Sequence, residues 1–453
     1  MKDFEKVFLA FAVLLLPAVM PVQAEEYDLT AYLAKVQQNN PDLTLAQKEL
    51  ELARANVAQA RSAFFPTIGV QGGYTRNLTD AMRSTPVASA PGGGPLIYQD
   101  VDSNYDNELS LGIGVNQTLY DAGAIASYNK ARKGRAIREQ SFEAARLSIQ
   151  CAAKKLYAQA RLVLMVVEIM EASEHHSNEI YQSTERKYRA GAATELDLLM
   201  AEVDWKTKAA SVTEARKNAE LALIAFRTLA GIPVTEAVTL TEQFGELPQI
   251  PESPALDKVL ASRPDYRALV LSRELSDIDR RAAISSFLPT ASASFSYALG
   301  GMGDGGSLTG DYDFNSAQLS LAVTIPLFTG GYRLARLKAA GIEQEKAAVA
   351  LSQRRSGIES ELIELHLRLE EAAERVESAR LIVSTAERAV ALSQTAYSNG
   401  LTTQFNVAEA VNRLGEARLG SESAVFEYLS AYYDWELSGG INKSLTNRNI
   451  QTE

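Results

Sequence analysis

Tyr188-Arg-Ala-Gly191-Ala-Ala-Thr194-Glu-Leu-Asp197 and Tyr397-Ser-Asn-Gly400-Leu-Thr-Thr403-Gln-Phe-Asn406 are two copies of one turn. Their offset of 209 (397 minus 188) continues without a gap for about 45 residues, through Ala201 and Ala410 to Ala230-Gly231-Ile232 and Gly439-Gly440-Ile441. Outside the turns, Ser62-Ala-Phe-Phe-Pro-Thr67 returns as Ser285-Ser-Phe-Leu-Pro-Thr290, and Leu119-Tyr-Asp-Ala-Gly123 returns as Leu327-Phe-Thr-Gly-Gly331. A chain that repeats itself this way is two copies of one unit. The expected division is a first repeat at 25–232, an equatorial Pro-rich linker at 233–254, a second repeat at 255–441 and a tail at 442–453.

Upstream of each turn runs a long Ala-, Glu-, Lys- and Arg-rich stretch without proline, 124–189 and 332–398. Such composition favours helix, and roughly 66 residues at 1.5 Å each span about 100 Å, more than one globular core can host. The tip turns fall at 190–194 and 399–403, and return helices come next at 195–229 and 404–437. Small residues such as Ala144, Ala145, Ala152, Ala153, Ala339, Ala340, Ala347 and Ala348 suit close interhelical packing in a coiled-coil assembly.

Ahead of each long helix, at 65–119 and 288–327, the period changes from 3.6 to two. Thr67, Gly69, Gln71 and Gly73 alternate with Ile68, Val70, Gly72 and Tyr74. In the second copy Thr290, Ser292, Ser294 and Ser296 alternate with Ala291, Ala293, Phe295 and Tyr297. One apolar face and one small, polar face are what a barrel wall between lipid and water requires. Tyr74, Tyr105, Tyr297 and Tyr312 are expected at an interfacial aromatic girdle. Tyr312 and Phe314 share the parity of Ser320, which predicts a bulge or a later start in the last strand. Segments 77–104 and 300–311 read as polar exterior turns. Four strands cannot close a barrel, and a water-filled pore needs at least three chains, so a homotrimer is expected. The fold class read from these patterns is mainly α with a β-barrel portion. Two repeats of long coiled-coil helices and β-hairpins would form a trimeric α/β-barrel channel-tunnel.

Residues 1–24 carry Lys2 and Lys6, an apolar run from Val7 to Val19 and a small-residue end at Ala24, the pattern of a signal peptide for export. No later stretch is long and apolar enough for a spanning helix, so strands must do any membrane insertion. A net charge of −11 argues against nucleic acid as a partner. The single cysteine, Cys151, reads as a small buried helix residue. Gly301-Met-Gly303-Asp-Gly-Gly306 mimics a dinucleotide loop but lies between strands with no helix after it. His175 and His176 are neighbours that cannot share a helix face, and His366 stands alone, so no metal is expected. No cofactor and no enzymatic activity are expected. A coiled-coil stalk or surface protein is the competing reading, and a secreted enzyme with an unrecognised site a remoter one.

The element order, the Phe65-Pro66 and Leu288-Pro289 strand starts and the two Tyr-x-x-Gly turns resemble the TolC family of outer-membrane factors across 25–453. The resemblance implies a trimeric outer-membrane channel with its helical part in the periplasm, serving tripartite efflux or type I secretion. Its implied partners are a periplasmic adaptor, an inner-membrane pump and outer-membrane lipid. It also implies a periplasmic tip gate in which Tyr397 meets Asp197, with Thr402 standing where the family has an arginine. Asn406 and Glu409 would form a constriction ring, and Tyr188, Gly191 and Gly400 the turns that dock the adaptor.

Overall fold

The computed structural model describes residues 25–79, 81–89, 96–102, 105–241, 247–304 and 312–439. The expected signal peptide at 1–24 and the expected tail at 442–453 lie outside the described residues. The elements run β1 (Glu25–Tyr27), α1 (Leu29–Asn39), α2 (Pro41–Ser62), β2 (Thr67–Arg76), β3 (Met82–Ser89), β4 (Leu96–Asp102), β5 (Asn107–Tyr120), α3 (Ala122–Arg189) and α4 (Glu195–Leu229). They continue with β6 (Val238–Leu240), α5 (Leu256–Ser262), α6 (Pro264–Ser285), β7 (Thr290–Gly303), β8 (Tyr312–Thr324), α7 (Tyr332–Ser398) and α8 (Gln404–Gly439). Helices α3 and α7 run 68 and 67 residues without a break. No proline interrupts either, so every internal amide keeps its i→i−4 partner. The chain divides into two compact units: 1–48, 140–267 and 353–453 in one, and 49–139 and 268–352 in the other.

The second unit holds a four-stranded antiparallel sheet in the order β2-β5-β7-β8. Its register lines up like with like. Thr67, Asn116, Ser294 and Ser320 form one cross-strand row, and Gly69, Gly114, Ser296 and Gln318 another. On the opposite face Ile68, Val115, Phe295 and Leu319 form a row, as do Val70, Ile113, Tyr297 and Ala317. A slip of one residue would send each apolar row to the polar face, so this patterning fixes the pairing.

Three strand readings need correction. The segment 77–104 is no plain turn: β3 and β4 pair in it as a separate two-stranded sheet with an irregularity between Pro86 and Ala88, where proline is tolerated because the ladder is broken. The last strand begins at Tyr312 and its register against β7 is unbroken, so no bulge lies there. Phe314 instead occupies the small-residue face opposite Gly300, where the Cβ of any other residue would come within 2.7 Å of its ring. Glycine leaves the space that the aromatic ring fills. The register shift falls in β5, between Thr118 and Tyr120. Finally, Tyr297 sits mid-strand opposite Ile113, away from the loop ends where Tyr105 and Tyr312 stack at 6.5 Å.

The first unit holds the packed cores. Tyr32 of α1 stacks on Phe226 of α4 at 3.8 Å, and its hydroxyl donates to the Phe226 carbonyl at 3.0 Å. Tyr157 of α3 closes this core by donating to the Tyr27 carbonyl at 3.1 Å, while β1 pairs in parallel with β6. A second core joins α7 and α8 through Leu369, Val376, Tyr428 and Trp435, and a third joins α5 to α7 through Val259, Leu260, Ile358 and Leu362. Cys151 is buried, its thiol directed at the Tyr433 carbonyl at 3.4 Å, and burial pushes that thiol up to about 12.

The duplication survives as a shared contact with changed chemistry. Asn40 and Arg263 each precede the proline that starts a helix. Asn40 donates to the Leu229 carbonyl at 2.8 Å, and Arg263 to the carbonyl of Ser438, which is Leu229 shifted by 209. An orphan carbonyl at the end of a return helix is thereby satisfied in both copies. In the second copy a cation does this, and it brings acids with it. Arg263 binds Asp265 at 2.8 Å and Glu361 at 3.2 Å, and Arg354 binds the same two carboxylates.

Candidate functional site

Two features bear on the expected channel, one in each unit. The first is the sheet. Its apolar face is bare in the single chain: Ile68, Val70, Leu319, Leu321 and Val323 are all 62–79% exposed. Among the described residues its edge strands β2 and β8 have an unpaired side each. A long, exposed, apolar edge is an aggregation hazard in water, and the stable resolutions are pairing with further strands and lipid against the apolar face. Among the described residues no helix is long and apolar enough to cross a membrane.

The second feature is the pair of turns. Helix α3 ends with Gly191 at φ 72°, its amide donating to the Tyr188 carbonyl at 2.9 Å and the Ala192 amide to the Lys187 carbonyl at 2.8 Å. Helix α7 ends the same way: Gly400 is at φ 72°, its amide donates to the Tyr397 carbonyl at 3.0 Å, and the Leu401 amide to that of Ala396 at 2.8 Å. Left-handed backbone of this kind is where glycine closes helices with least strain. Tyr188 stands 41% exposed beside its turn, and Leu401 80% exposed beside the other.

The two turns diverge at the starts of their return helices. Thr194 caps α4, and Asp197 reciprocates: its carboxylate accepts from both the Thr194 hydroxyl at 2.7 Å and the Thr194 amide at 3.0 Å. Those two bonds hold the Asp197 carboxyl below its usual range. Tyr397 is engaged elsewhere. Lys187 Nζ donates to its hydroxyl at 3.1 Å and to Gln404 Oε1 at 3.3 Å, with the ammonium 5.9 Å from the ring centre. The expected Asp197–Tyr397 bond is therefore not formed within the chain. The local capping box, three residues apart, occupies the carboxylate, and the cation one residue before Tyr188 takes the phenol.

The constriction candidates are also paired. Asn406 donates to Thr402 Oγ1 at 2.7 Å, and Glu409 accepts from Arg413 Nε at 2.9 Å one turn along α8. Glu409 thus carries its own counter-ion. Lys187 and Gln404 escaped the sequence reading, yet a signal existed. Applying the offset, Gln404 corresponds to Glu195 and Lys187 to Ala396, so both positions break the repeat where the two tips touch.

Gly301 and Gly303 lie inside β7, so that glycine run opens no helix, and Gly306 lies outside the described residues. His175 and His176 both lean on Glu179, at 3.5 and 3.9 Å, and among the described residues no three metal-ligating side chains converge.

Known proteins share this plan. The model of a family described as outer membrane efflux protein matches residues 32–232 and 255–425. The alkaline protease secretion protein AprF of Pseudomonas aeruginosa is 22% identical over 409 residues, covering 89% of this chain and 82% of that protein. The outer membrane efflux protein BepC of Brucella suis is 24% identical, covering 94% and 89%. Among solved structures, the CmeC outer membrane channel of Campylobacter jejuni superposes with a TM-score of 0.76 at 18% identity, covering 91% of this chain and 85% of that one. The open state of the MtrE channel of Neisseria gonorrhoeae gives 0.71 at 19% identity, covering 91% and 88%.

Proposed function

The chain belongs to the outer membrane efflux protein family, and we propose that it serves as the outer-membrane channel subunit of a tripartite efflux or type I secretion system. Cargo passes from periplasm to exterior through a passive conduit, and the chain catalyses nothing. The protein resides in the outer membrane with its helical part in the periplasm. The observation that carries this reading is the sheet: one face of small and polar residues, one of bare aliphatics, and two open edges. Three copies joined β2 to β8 supply twelve strands, enough to leave a wet lumen. Purified protein in planar bilayers should conduct ions, and cysteines placed in facing pairs on β2 and β8 should crosslink into a three-chain ladder. Protein that inserts but never conducts would leave a stalk or surface role in its place.

The turns at Tyr188, Gly191 and Gly400 are the docking points for the adaptor, and Tyr397, Thr402, Asn406 and Glu409 belong to the gate beside them. Support comes from the exposed Tyr188 and Leu401 and from the contact between the two tips through Lys187. Because Arg413 already offsets Glu409, Glu409→Ala leaves an excess cation near the constriction. The potassium-to-chloride permeability ratio, read from reversal potentials under a salt gradient, should fall about twofold or more. An unchanged ratio removes Glu409 from the pore lining.

A further inference from the structure

The small, polar face of the four-stranded sheet breaks its own rule at one end. From the helix-linked end, its cross-strand rows hold only Gly, Ala, Ser, Thr, Asn and Gln, as in Gln71, Gly112, Ala298 and Ser316. The last two rows differ. One runs Gly73, Ser110, Gly300 and Phe314, and the other Thr75, Glu108, Met302 and Tyr312. Glu108 is the one charged residue on this face in the four strands. Tyr312, expected at a lipid-facing girdle, shares this face instead, and Tyr105 stacks against it with planes 17° apart.

Packing explains Phe314, whose ring covers Gly300, but neither Tyr312 nor Glu108. Tyr312 is 54% exposed even with Tyr105 beside it. The Glu108 carboxylate accepts from Asn77 Nδ2 at 3.1 Å, which orients it, and no cation lies at ion-pair distance from it among the described residues. Met302 separates Glu108 from Tyr312 in their row, so carboxylate, thioether and phenol span two strand spacings, about 10 Å. An aromatic face and a carboxylate both attract cations, and a wall of this width matches a planar ring system. The strands join α2, α3, α6 and α7 at their other ends, so in the channel reading these rows line the lumen at the exterior mouth.

We propose that this patch binds aromatic organic cations at the exterior mouth, one site per chain, with the rings of Tyr312 and Phe314 against the ligand's ring system and Glu108 beside its charge. An aliphatic cation forgoes the ring contacts, and an aromatic anion meets an unneutralised carboxylate, so neither fits as well. The site rests on the channel reading, which turns this face toward water.

Isothermal titration of the detergent-solubilised full-length protein tests it with propidium, an aromatic dication, hexamethonium, an aliphatic dication, and naphthalenedisulfonate, an aromatic dianion. Propidium should bind about fivefold or more tightly than hexamethonium, the gain of two ring contacts at a wet surface, and the dianion should bind more weakly than either. Tyr312→Ser, at the first position of β8, should lower propidium affinity about threefold and leave hexamethonium unchanged. Glu108→Gln should weaken both dications by a similar factor. Phe314 stays in place because it also fills the space over Gly300. Oligomer mass and helical circular dichroism should match wild type in both variants, and Glu409→Ala, at the tip, should keep the propidium preference. Equal affinity for the two dications in the wild type, undiminished propidium affinity in either mouth variant, or equal loss in Glu409→Ala each overturns the site. Protein that conducts in planar bilayers yet shows no propidium preference rejects the patch and leaves the channel reading standing. A preference in protein that never conducts overturns the placement in a pore mouth.

Discussion

Arg263→Ala should destabilise the second repeat by about 3–5 kcal/mol, because a buried cation is removed from between two carboxylates that stay behind. The side chain is only 9% exposed and donates two hydrogen bonds to Asp265, one to Glu361 and one to the Ser438 carbonyl at the end of α8. Arg354 can partly hold both acids, so the lower end of that range is the firmer figure. Arg263→Lys keeps the charge but loses the planar fork and should recover less than half of the loss. Thermal unfolding followed by the helix signal reads the difference as a lowered Tm, and an unchanged Tm would show that the network contributes nothing.

The same cluster sets a pH dependence. Burial alone would raise the Asp265 carboxyl, but hydrogen bonds from Arg263 and Arg354 outweigh it and bring the group down to about 2, from an ordinary 3.8. A depressed folded-state value means that the contribution is complete above about pH 4 and is lost as pH falls toward 2. Because the carboxylate is 35% exposed, the stability involved is at most about 2 kcal/mol after screening. Asp265→Asn should lower Tm at neutral pH and flatten the fall between pH 4 and pH 2. An acid limb as steep as that of the wild type would place its cause in another group.

The fold class was legible because its signals are long-range and redundant. A 209-residue offset, two proline-free helices and four alternating strands each point to the same duplicated plan. What escaped was local. The β3–β4 pair hid in a segment whose Ser, Pro and Gly content reads as turn, although Leu96-Ile-Tyr98 is a strand-forming run. Phe314 defeated the parity rule because a glycine on the next strand made room for it, a fact that only register reveals. At the tip, Asp197 was assigned by resemblance, while the residues that decide its partner were Thr194, three places back, and Lys187, across the turn. A capping box is readable from sequence, and Thr194-Glu-Leu-Asp197 spells one. Which partner a phenol will choose is not readable, since the competing cation comes from another segment.

Lys187→Ala should loosen the tip more than any change at Asp197. In this chain the contact between the repeats is an ammonium shared by a phenol and an amide, at 3.1 and 3.3 Å, with the Tyr397 hydroxyl also donating to Gln404 Oε1 at 3.3 Å. It lies at the surface, so each copy contributes no more than about 1 kcal/mol. If the three chains of the proposed channel open together, the three contacts add to at most about 3 kcal/mol, roughly a hundredfold in the closed-to-open ratio. Open probability in planar bilayers should therefore rise by one to two orders of magnitude in Lys187→Ala at most, stay near wild type in Lys187→Arg, and rise less in Tyr397→Phe, which spares the lysine–glutamine bond. Asp197→Ala removes the reciprocal half of the Thr194 capping box at the start of α4 but breaks no contact between repeats, so its conductance should match wild type. The opposite ranking, with Asp197→Ala opening the channel and Lys187→Ala silent, would return the gate to the carboxylate and leave Lys187 as a surface cation.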